Sequence, residues 1–315
     1  MPQRAVRSSP KPTRDRRRGA PMYPARFDYL APTTIEEALD ALSRLSQRGE
    51  DAKILAGGQS LIPLMKLRLA SPSVLVDINR LPGLAFIEPA DGHLRIGALA
   101  RHSDLAESNV VRRSNHTMAA AAPWISDPLV RNLGTIGGSL AHADPLGDWA
   151  SVMLACGADI VARSTAGERI MPIGEFLLGL FTTALRPDEL LTEVRVPRYR
   201  GPAGGTYLKL ERKVGDYATV GVAVHLELDE GKQRIVEAGI ALTSVAPNNL
   251  KAVAAEQALA GETPGQELFA EAADLAARAA EPRSDVRGPA EYKRDVVRVF
   301  VERGLARATE LARAE

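Results

Sequence analysis

The sequence predicts an α+β protein of two domains, and three observations carry that expectation. Short apolar strands alternate with helical periods through the first two hundred residues, where two glycine motifs, 56–60 and 135–139, also lie. A glycine- and proline-rich stretch, Tyr199 to Gly205, then marks a change of composition. Beyond it come three strand-like runs and an alanine- and glutamate-rich segment of helical period. At 315 residues, with 45% hydrophobic content, the chain is long enough for two domains, each with its own core.

Taken in order, residues 1–22 hold Arg4, Arg7, Lys11, Arg14, Arg16, Arg17 and Arg18 against Asp15. The net charge is +1 and this tail carries a surplus of six, so the remainder stands at about −5. With Pro2, Pro10, Pro12 and Pro21 and almost nothing apolar, residues 1–21 read as a disordered basic extension, with Met22 as an alternative start. A solvated tail is preferred to a nucleic-acid or membrane arm. No apolar run reaches the length of a membrane span and no apolar leader follows the basic residues, so the cytoplasm is the expected location. Cys156 is the only cysteine, which excludes an internal disulfide and an iron–sulfur or thiolate zinc site carried by this chain alone. The histidines (His93, His102, His116, His142, His225) are scattered without metal-pair spacing.

Thr33, Thr34 and Glu37 form a capping box ahead of a helix whose apolar face is Ile35, Ala38, Leu39, Leu42 and Leu45, with Gly49 closing it. Lys53 to Ala56 read as a strand running into Gly57 and Gly58, where the backbone can take positive φ and approach a ligand closely. Gln59 and Ser60 add side-chain donors, and Pro63 falls in the first turn of the following helix. Successive amides in such a turn bind an anion, above all phosphate. Ser73 to Ile78 form a second buried strand, which completes a first lobe, 22–80.

A second lobe, 81–200, opens with two strands about Asp91-Gly92. Helices are predicted over Asp104 to Ser108 and Met118 to Ile125, with Asp127-Pro128 as a breaker. Thr135, Ile136, Gly137, Gly138 and Ser139 then repeat the chemistry of the first motif roughly eighty residues later, so that two turns could hold one pyrophosphate-bearing ligand. Asp148, at the Gly147-Asp148 elbow, reads both as the N-cap of a helix from Trp149 and as an acceptor for a ligand hydroxyl. Asp159 to Ile173 form a hairpin about Thr165 to Glu168, and Glu189 to Val196 a strand ended by Pro197.

The second domain, 203–312, contains strands at Thr206 to Arg212, Ala218 to Leu228 and Arg234 to Thr243. Tyr217 lies between the first two and can present a ring and a hydroxyl to a ligand or to an interface. From Asn249 onward, breaks at Gly261, Pro264, Pro282 and Gly288-Pro289 leave three helices to cover one face of the sheet.

The runs AGGQSLIPLMKLR, TIGGSLAHADPLGDW and KVGDYAT, in this order, resemble the flavin-binding medium subunit of the molybdenum hydroxylases, the group of carbon-monoxide and xanthine dehydrogenases. The resemblance covers Tyr23 to about Arg313. It implies a two-lobed FAD-binding domain of the vanillyl-alcohol-oxidase (PCMH) type over 22–200. A C-terminal domain of the carbon-monoxide dehydrogenase flavoprotein type, a three-stranded antiparallel sheet with a three-helix bundle, follows. Non-covalent FAD would be cradled by Ala56, Gly57, Gly58, Gln59 and Ser60 on one side of its diphosphate, and by Thr135, Ile136, Gly137, Gly138 and Ser139 on the other. Asp148 would take a ribityl or ribose hydroxyl, Tyr217 would lie near the isoalloxazine, and Lys209 would contact the flavin. Gln59 stands where some members have His or Asn, and Ser139 where many have Asn, so the subfamily stays open.

The resemblance further implies an electron-transfer subunit of an oxidoreductase, with no catalytic or metal-binding residue assigned to this chain. Its partners would be a large subunit with molybdopterin and a small one with iron–sulfur clusters, as a heterotrimer, single or dimerised. Electrons would enter singly from a cluster and leave for NAD+, a quinone or oxygen. A standalone flavin oxidase and a non-catalytic partner-binding protein remain the alternatives. A nicotinamide-binding Rossmann domain is disfavoured, because no strand-to-helix GxGxxG with a later acidic residue is present.

Overall fold

The computed structural model describes residues 23–90 and 92–315. The basic extension predicted over 1–21 lies outside them, as does Asp91 of the Asp91-Gly92 turn.

The first lobe runs β1 (Asp28–Leu30), α1 (Ile35–Gln47), β2 (Ala52–Leu55), α2 (Leu61–Lys66) and β3 (Val74–Asp77), with its three strands in the parallel order β1-β3-β2. The predicted capping box is present: the Glu37 amide donates to the Thr34 hydroxyl at 3.1 Å, and the Thr33 amide donates to the Glu37 carboxylate at 2.8 Å. Ala38, Leu39, Leu42 and Leu45 of α1 share one core with Val74, Val76 and Ile78. β1 was not predicted, because three half-polar residues with exposed side chains carry no periodicity.

The second lobe begins with β4 (Ile87–Ala90) and β5 (His93–Gly97). Its helical stretch is α3 (His102–Glu107), α4 (Asn109–Ser114), α5 (His116–Ala121), a 3-10 turn at Ala122–Trp124, α6 (Pro128–Leu133), α7 (Ile136–His142) and α8 (Asp148–Ala155). The chain then continues through β6 (Asp159–Ser164), β7 (Gly167–Pro172), α9 (Ile173–Phe176), β8 (Leu177–Gly179), β9 (Thr182–Thr183) and β10 (Leu190–Pro197). Five strands form an antiparallel sheet in the order β4-β5-β10-β6-β7. Asp127-Pro128 breaks one helix as predicted and also starts the next. The Asp127 carboxylate accepts from the Val130 amide at 2.9 Å, and Pro128 occupies the first helical position, where its missing N–H costs nothing.

The C-terminal part is β11 (Ala203–Leu210), β12 (Val220–Leu228), β13 (Ile235–Thr243) and β14 (Leu250–Lys251), followed by α10 (Val253–Leu259), α11 (Gln266–Ala279) and α12 (Ala290–Ala314). The three predicted strands are there, with the two-residue β14 added at the edge. The predicted linker is shorter than expected, since Ala203, Gly204 and Gly205 already pair with Glu227, Leu226 and His225. Those glycines serve close packing: a Cβ on Gly204 would lie 1.9 Å from the Ala308 carbonyl oxygen. Both faces of this sheet are covered. Val222, Val224 and Leu226 face the side covered by α12, in a core that α11 shares, whereas Tyr207, Ala223 and Ala241 join the core of the second lobe against α5 and α8. Among the described residues no helix is long and apolar enough to cross a membrane.

Candidate flavin site

β2 delivers the chain to residues 56–60, and the two glycines there answer two different demands. Gly58 has φ +71°, a conformation costly for other residues, and turns the backbone into α2. Gly57 permits contact: a Cβ there would stand 2.2 Å from the Leu133 carbonyl oxygen and 2.7 Å from the Gly134 Cα. Among the described residues, the amides of Gly57, Gly58, Gln59 and Ser60 donate to no protein acceptor. The Gln59 side chain closes the turn by donating to the Gly57 carbonyl at 3.0 Å, and the Ser60 hydroxyl caps no amide. All five residues from Ala56 to Ser60 are half-buried.

The second motif has a different local structure from the predicted turn. Thr135 is the N-cap of α7, and Gly137 and Gly138 lie in the first helical turn without positive φ. The Thr135 hydroxyl accepts from the Gly138 amide at 3.1 Å, and the Thr135 carbonyl accepts from the Ser139 amide at 3.0 Å. Ile136 and Gly137 donate to Ala100 and Ala98 at 3.1 and 3.0 Å, which ties the motif to the chain leaving β5. Gly137 is small because Ala98 is there: a Cβ would meet the Ala98 Cβ at 2.6 Å. Gly138 and Ser139 remain half-buried, and among the described residues the Ser139 hydroxyl has no protein partner.

The two motifs meet. A Cβ on Gly138 would lie 3.8 Å from the Ala56 side chain, and Gly57 rests on Leu133 and Gly134, just ahead of Thr135. Free amides on one side, a side-chain-free surface on the other and the hydroxyls of Ser60 and Ser139 fit the diphosphate of a dinucleotide.

Asp148 is a correction. Gly147 is the N-cap of α8 and Asp148 is its first residue, 7% exposed, with both carboxylate oxygens engaged. Tyr207 donates to one oxygen at 2.5 Å and the Lys209 ammonium to the other at 2.9 Å. Lys209, 8% exposed, also donates to the Trp124 carbonyl at 3.0 Å. Burial raises the Asp148 pKa, and the attraction of Lys209 and the bond from Tyr207 work against that rise. A carboxylate has about four lone-pair positions, so capacity for a ligand hydroxyl remains. Tyr217 is 45% exposed, and its pKa is raised by burial and by the nearby Asp144 carboxylate. The structure thus brings the two glycine motifs together, and separately joins Asp148 to Lys209, which comes from the C-terminal part.

The sequence reading missed Tyr207 and His102. Tyr207 was readable in principle, because it lies two residues from Lys209 on β11 and so shares its face. His102 backs the second motif: its ring would meet a Cβ on Gly134 at 2.7 Å, and its Nδ1 accepts from the Trp149 indole at 3.0 Å. Burial, aided by the charges of Arg101 and Arg131, lowers its pKa from 6.5 to about 4, so it is neutral near pH 7.

Residues 25–199 match the family described as the FAD binding domain in molybdopterin dehydrogenase. Residues 205–308 match the CO dehydrogenase flavoprotein C-terminal domain. The chain is 41% identical over 292 residues to the 6-hydroxypseudooxynicotine dehydrogenase complex subunit alpha of Paenarthrobacter nicotinovorans, covering 93% of this chain and 97% of that one. It is 41% identical over 284 residues to the carbon monoxide dehydrogenase medium chain of Hydrogenophaga pseudoflava, covering 90% and 97%. A solved structure of carbon monoxide dehydrogenase from that same organism, lacking the Mo-pyranopterin moiety of its cofactor, superposes with a TM-score of 0.86 at 43% identity, over 90% of this chain and 98% of that chain.

Proposed function

The chain belongs to the FAD-binding subunits of the molybdopterin dehydrogenases, and from that premise we propose that the two glycine motifs hold the diphosphate of FAD while the Asp148 region holds its flavin end. It is an FAD-dependent oxidoreductase subunit, the medium, electron-transferring member of its complex. When bound, FAD supplies the redox chemistry, and the protein supplies position and electrostatics. The observation that carries the site is the contact of the motifs: Gly57 lies against Leu133 and Gly134, and Gly138 faces Ala56.

In this reading the amides of Gly57, Gly58, Gln59 and Ser60 donate to phosphate oxygens, and the Ser60 and Ser139 hydroxyls add to them. Ala56 and Gly138 face each other with little side-chain bulk, the buried Ile136 and Gly137 pack behind them, and Thr135 holds the start of α7 in place. Asp148 accepts a ribityl or ribose hydroxyl on a free lone pair, Lys209 balances its charge in the buried setting, and the Tyr217 ring stands beside the isoalloxazine. The domain division we propose is 22–200 for FAD and 203–312 for the C-terminal unit. By analogy with the complexes in which its relatives act, a large molybdopterin subunit and a small iron–sulfur subunit are the partners, with electrons arriving from the latter. A cytoplasmic location suits the single, buried, unpaired Cys156.

Purification of the full chain tests the reading. A yellow protein whose flavin is released as FAD on denaturation, without proteolysis, is the expected result. A folded preparation that stays colourless in excess FAD would overturn it.

A further inference from the structure

We propose that Arg101 is the positioning residue of the flavin site: with Asn79 it forms a clasp that fixes the gap between the two glycine motifs and the direction of the Gly57 amide. The proposal rests on the functional reading above and adds to it a determinant that touches no cofactor atom.

The clasp is a continuous chain of hydrogen bonds between the two lobes. One terminal nitrogen of the Arg101 guanidinium donates to the Leu133 carbonyl, and the other donates to the Asn79 side-chain oxygen at 2.8 Å. The Asn79 amide nitrogen in turn donates to the Ala56 carbonyl at 2.8 Å and to the Asp77 carboxylate at 2.7 Å. Asp77 ends β3, accepts from the Asn79 backbone amide at 2.9 Å and accepts from the Tyr29 hydroxyl of β1 at 2.5 Å. On the other side the Arg101 backbone amide donates to Asp104 at 3.0 Å, and Arg101 bridges Thr135, the N-cap of α7. Arg101 thus holds the carbonyl just before Gly57 through Asn79, and directly holds the carbonyl that Gly57 rests upon.

Two physical consequences follow. In a planar trans peptide the C=O and the next N–H point in opposite directions, so pinning the Ala56 carbonyl toward Asn79 turns the Gly57 N–H the other way. That N–H is one of those with no protein acceptor among the described residues. Secondly, a guanidinium presents its donors in a rigid fork and spans both partners at once, which an ammonium on a flexible stem does not. Arg101 and Asn79 are not deeply buried, so the clasp adds little to global stability, and its effect falls on the spacing of the cleft.

The test uses the full chain with its flavin removed, titrated with FAD, alongside thermal unfolding of the same flavin-free protein. Arg101→Ala should raise the Kd for FAD about tenfold, the loss of roughly one charged hydrogen-bond pair. Asn79→Ala should do nearly the same, and the double variant should be no worse than either single one, because both cut the same chain of bonds. Arg101→Lys should recover less than half of the loss on a logarithmic scale. Unfolding of the flavin-free protein should stay unchanged in all of them, which a merely structural role would not permit. The proposal is overturned if the wild type binds FAD and these variants bind it equally well, if the two single losses add, or if affinity falls only in step with the melting temperature. Should Arg101→Ala fail to fold, Asn79→Ala decides the matter. A wild-type chain that takes up no FAD would sink the functional reading, and the clasp with it.

Discussion

Two glycine motifs of nearly the same composition fold differently and do different work. Residues 56–60 are an open turn whose amides are unspent, and its one positive-φ glycine, Gly58, redirects the chain into α2. Residues 135–139 are the start of a helix, in which the Thr135 hydroxyl and the carbonyls of Ala98, Ala100 and Thr135 consume the amides. What separates them is the residue two places ahead of the glycines. Thr135, two residues before its glycines, is extended, with φ −121° and ψ 151°, and caps α7, whereas Leu55, two residues before Gly57, has no side chain that can cap. The comparison teaches that a Gly-Gly pair supplies either donors or space, according to whether a capping side chain precedes it.

Three perturbations press on that difference, in decreasing order of size. Gly57→Val is the most severe, since its Cβ would overlap backbone atoms, the Leu133 oxygen at 2.2 Å and the Gly134 Cα at 2.7 Å, and neither can swing away. FAD retention should be lost, at least about a hundredfold in Kd, an expectation from overpacking of roughly 3 kcal/mol. Retained flavin in that variant would show that the motifs need not touch.

Next come Gly58→Ala and Gly138→Ala, a matched pair. The first forces φ +71° on a residue with a Cβ and should weaken FAD about tenfold by disturbing donor amides, with a conformational cost of about 1–2 kcal/mol. The second places a Cβ 2.8 Å from the Thr135 hydroxyl and should chiefly lower the melting temperature of the flavin-free protein, through a cap worth about 1 kcal/mol. Equal losses of FAD affinity in the two would erase the division into donors and space.

The smallest effect on FAD binding itself is expected from acid sensitivity behind the second motif. The His102 pKa is depressed to about 4 in the folded protein from an ordinary 6.5, so the unfolded chain takes up a proton first as pH falls. Its contribution is therefore complete above about pH 6.5 and is lost progressively toward pH 4. His225, buried and likewise lowered to about 4, acts in the same window. Melting temperature followed from pH 7 to 4 should fall, and His102→Gln, which keeps an acceptor for Trp149, should flatten only part of that slope. An unaltered slope would remove His102 from the account.

Local signals were the legible ones. The Thr33, Thr34 and Glu37 box, the strand into Gly57, the hairpin of Asp159 to Ile173 and the long C-terminal strands are each written within about fifteen residues, and the structure has them. The motifs of the candidate site were found because glycine, hydroxyl and acidic residues stand out from their neighbours. What escaped was non-local. Arg101 and Asn79 meet across 22 residues and hold Leu133 and Ala56, and no periodicity encodes that. Asp148 passed for a cap because its partners, Tyr207 and Lys209, lie 59 and 61 residues away. The glycines at 204 and 205 passed for a linker because a residue chosen for flexibility and one chosen for closeness are the same letter.

Tyr207 and Lys209 enter the second lobe from a strand whose opposite face belongs to another core. That makes β11 a shared wall, and the two halves of this molecule are not exchangeable cassettes. A graft that moved residues 22–200 onto a foreign tail would leave Asp148 as a buried anion without its counterion or its phenol, the most expensive kind of orphan inside a protein. Swapping tails among such subunits therefore has to carry this wall along with the lobe that leans on it.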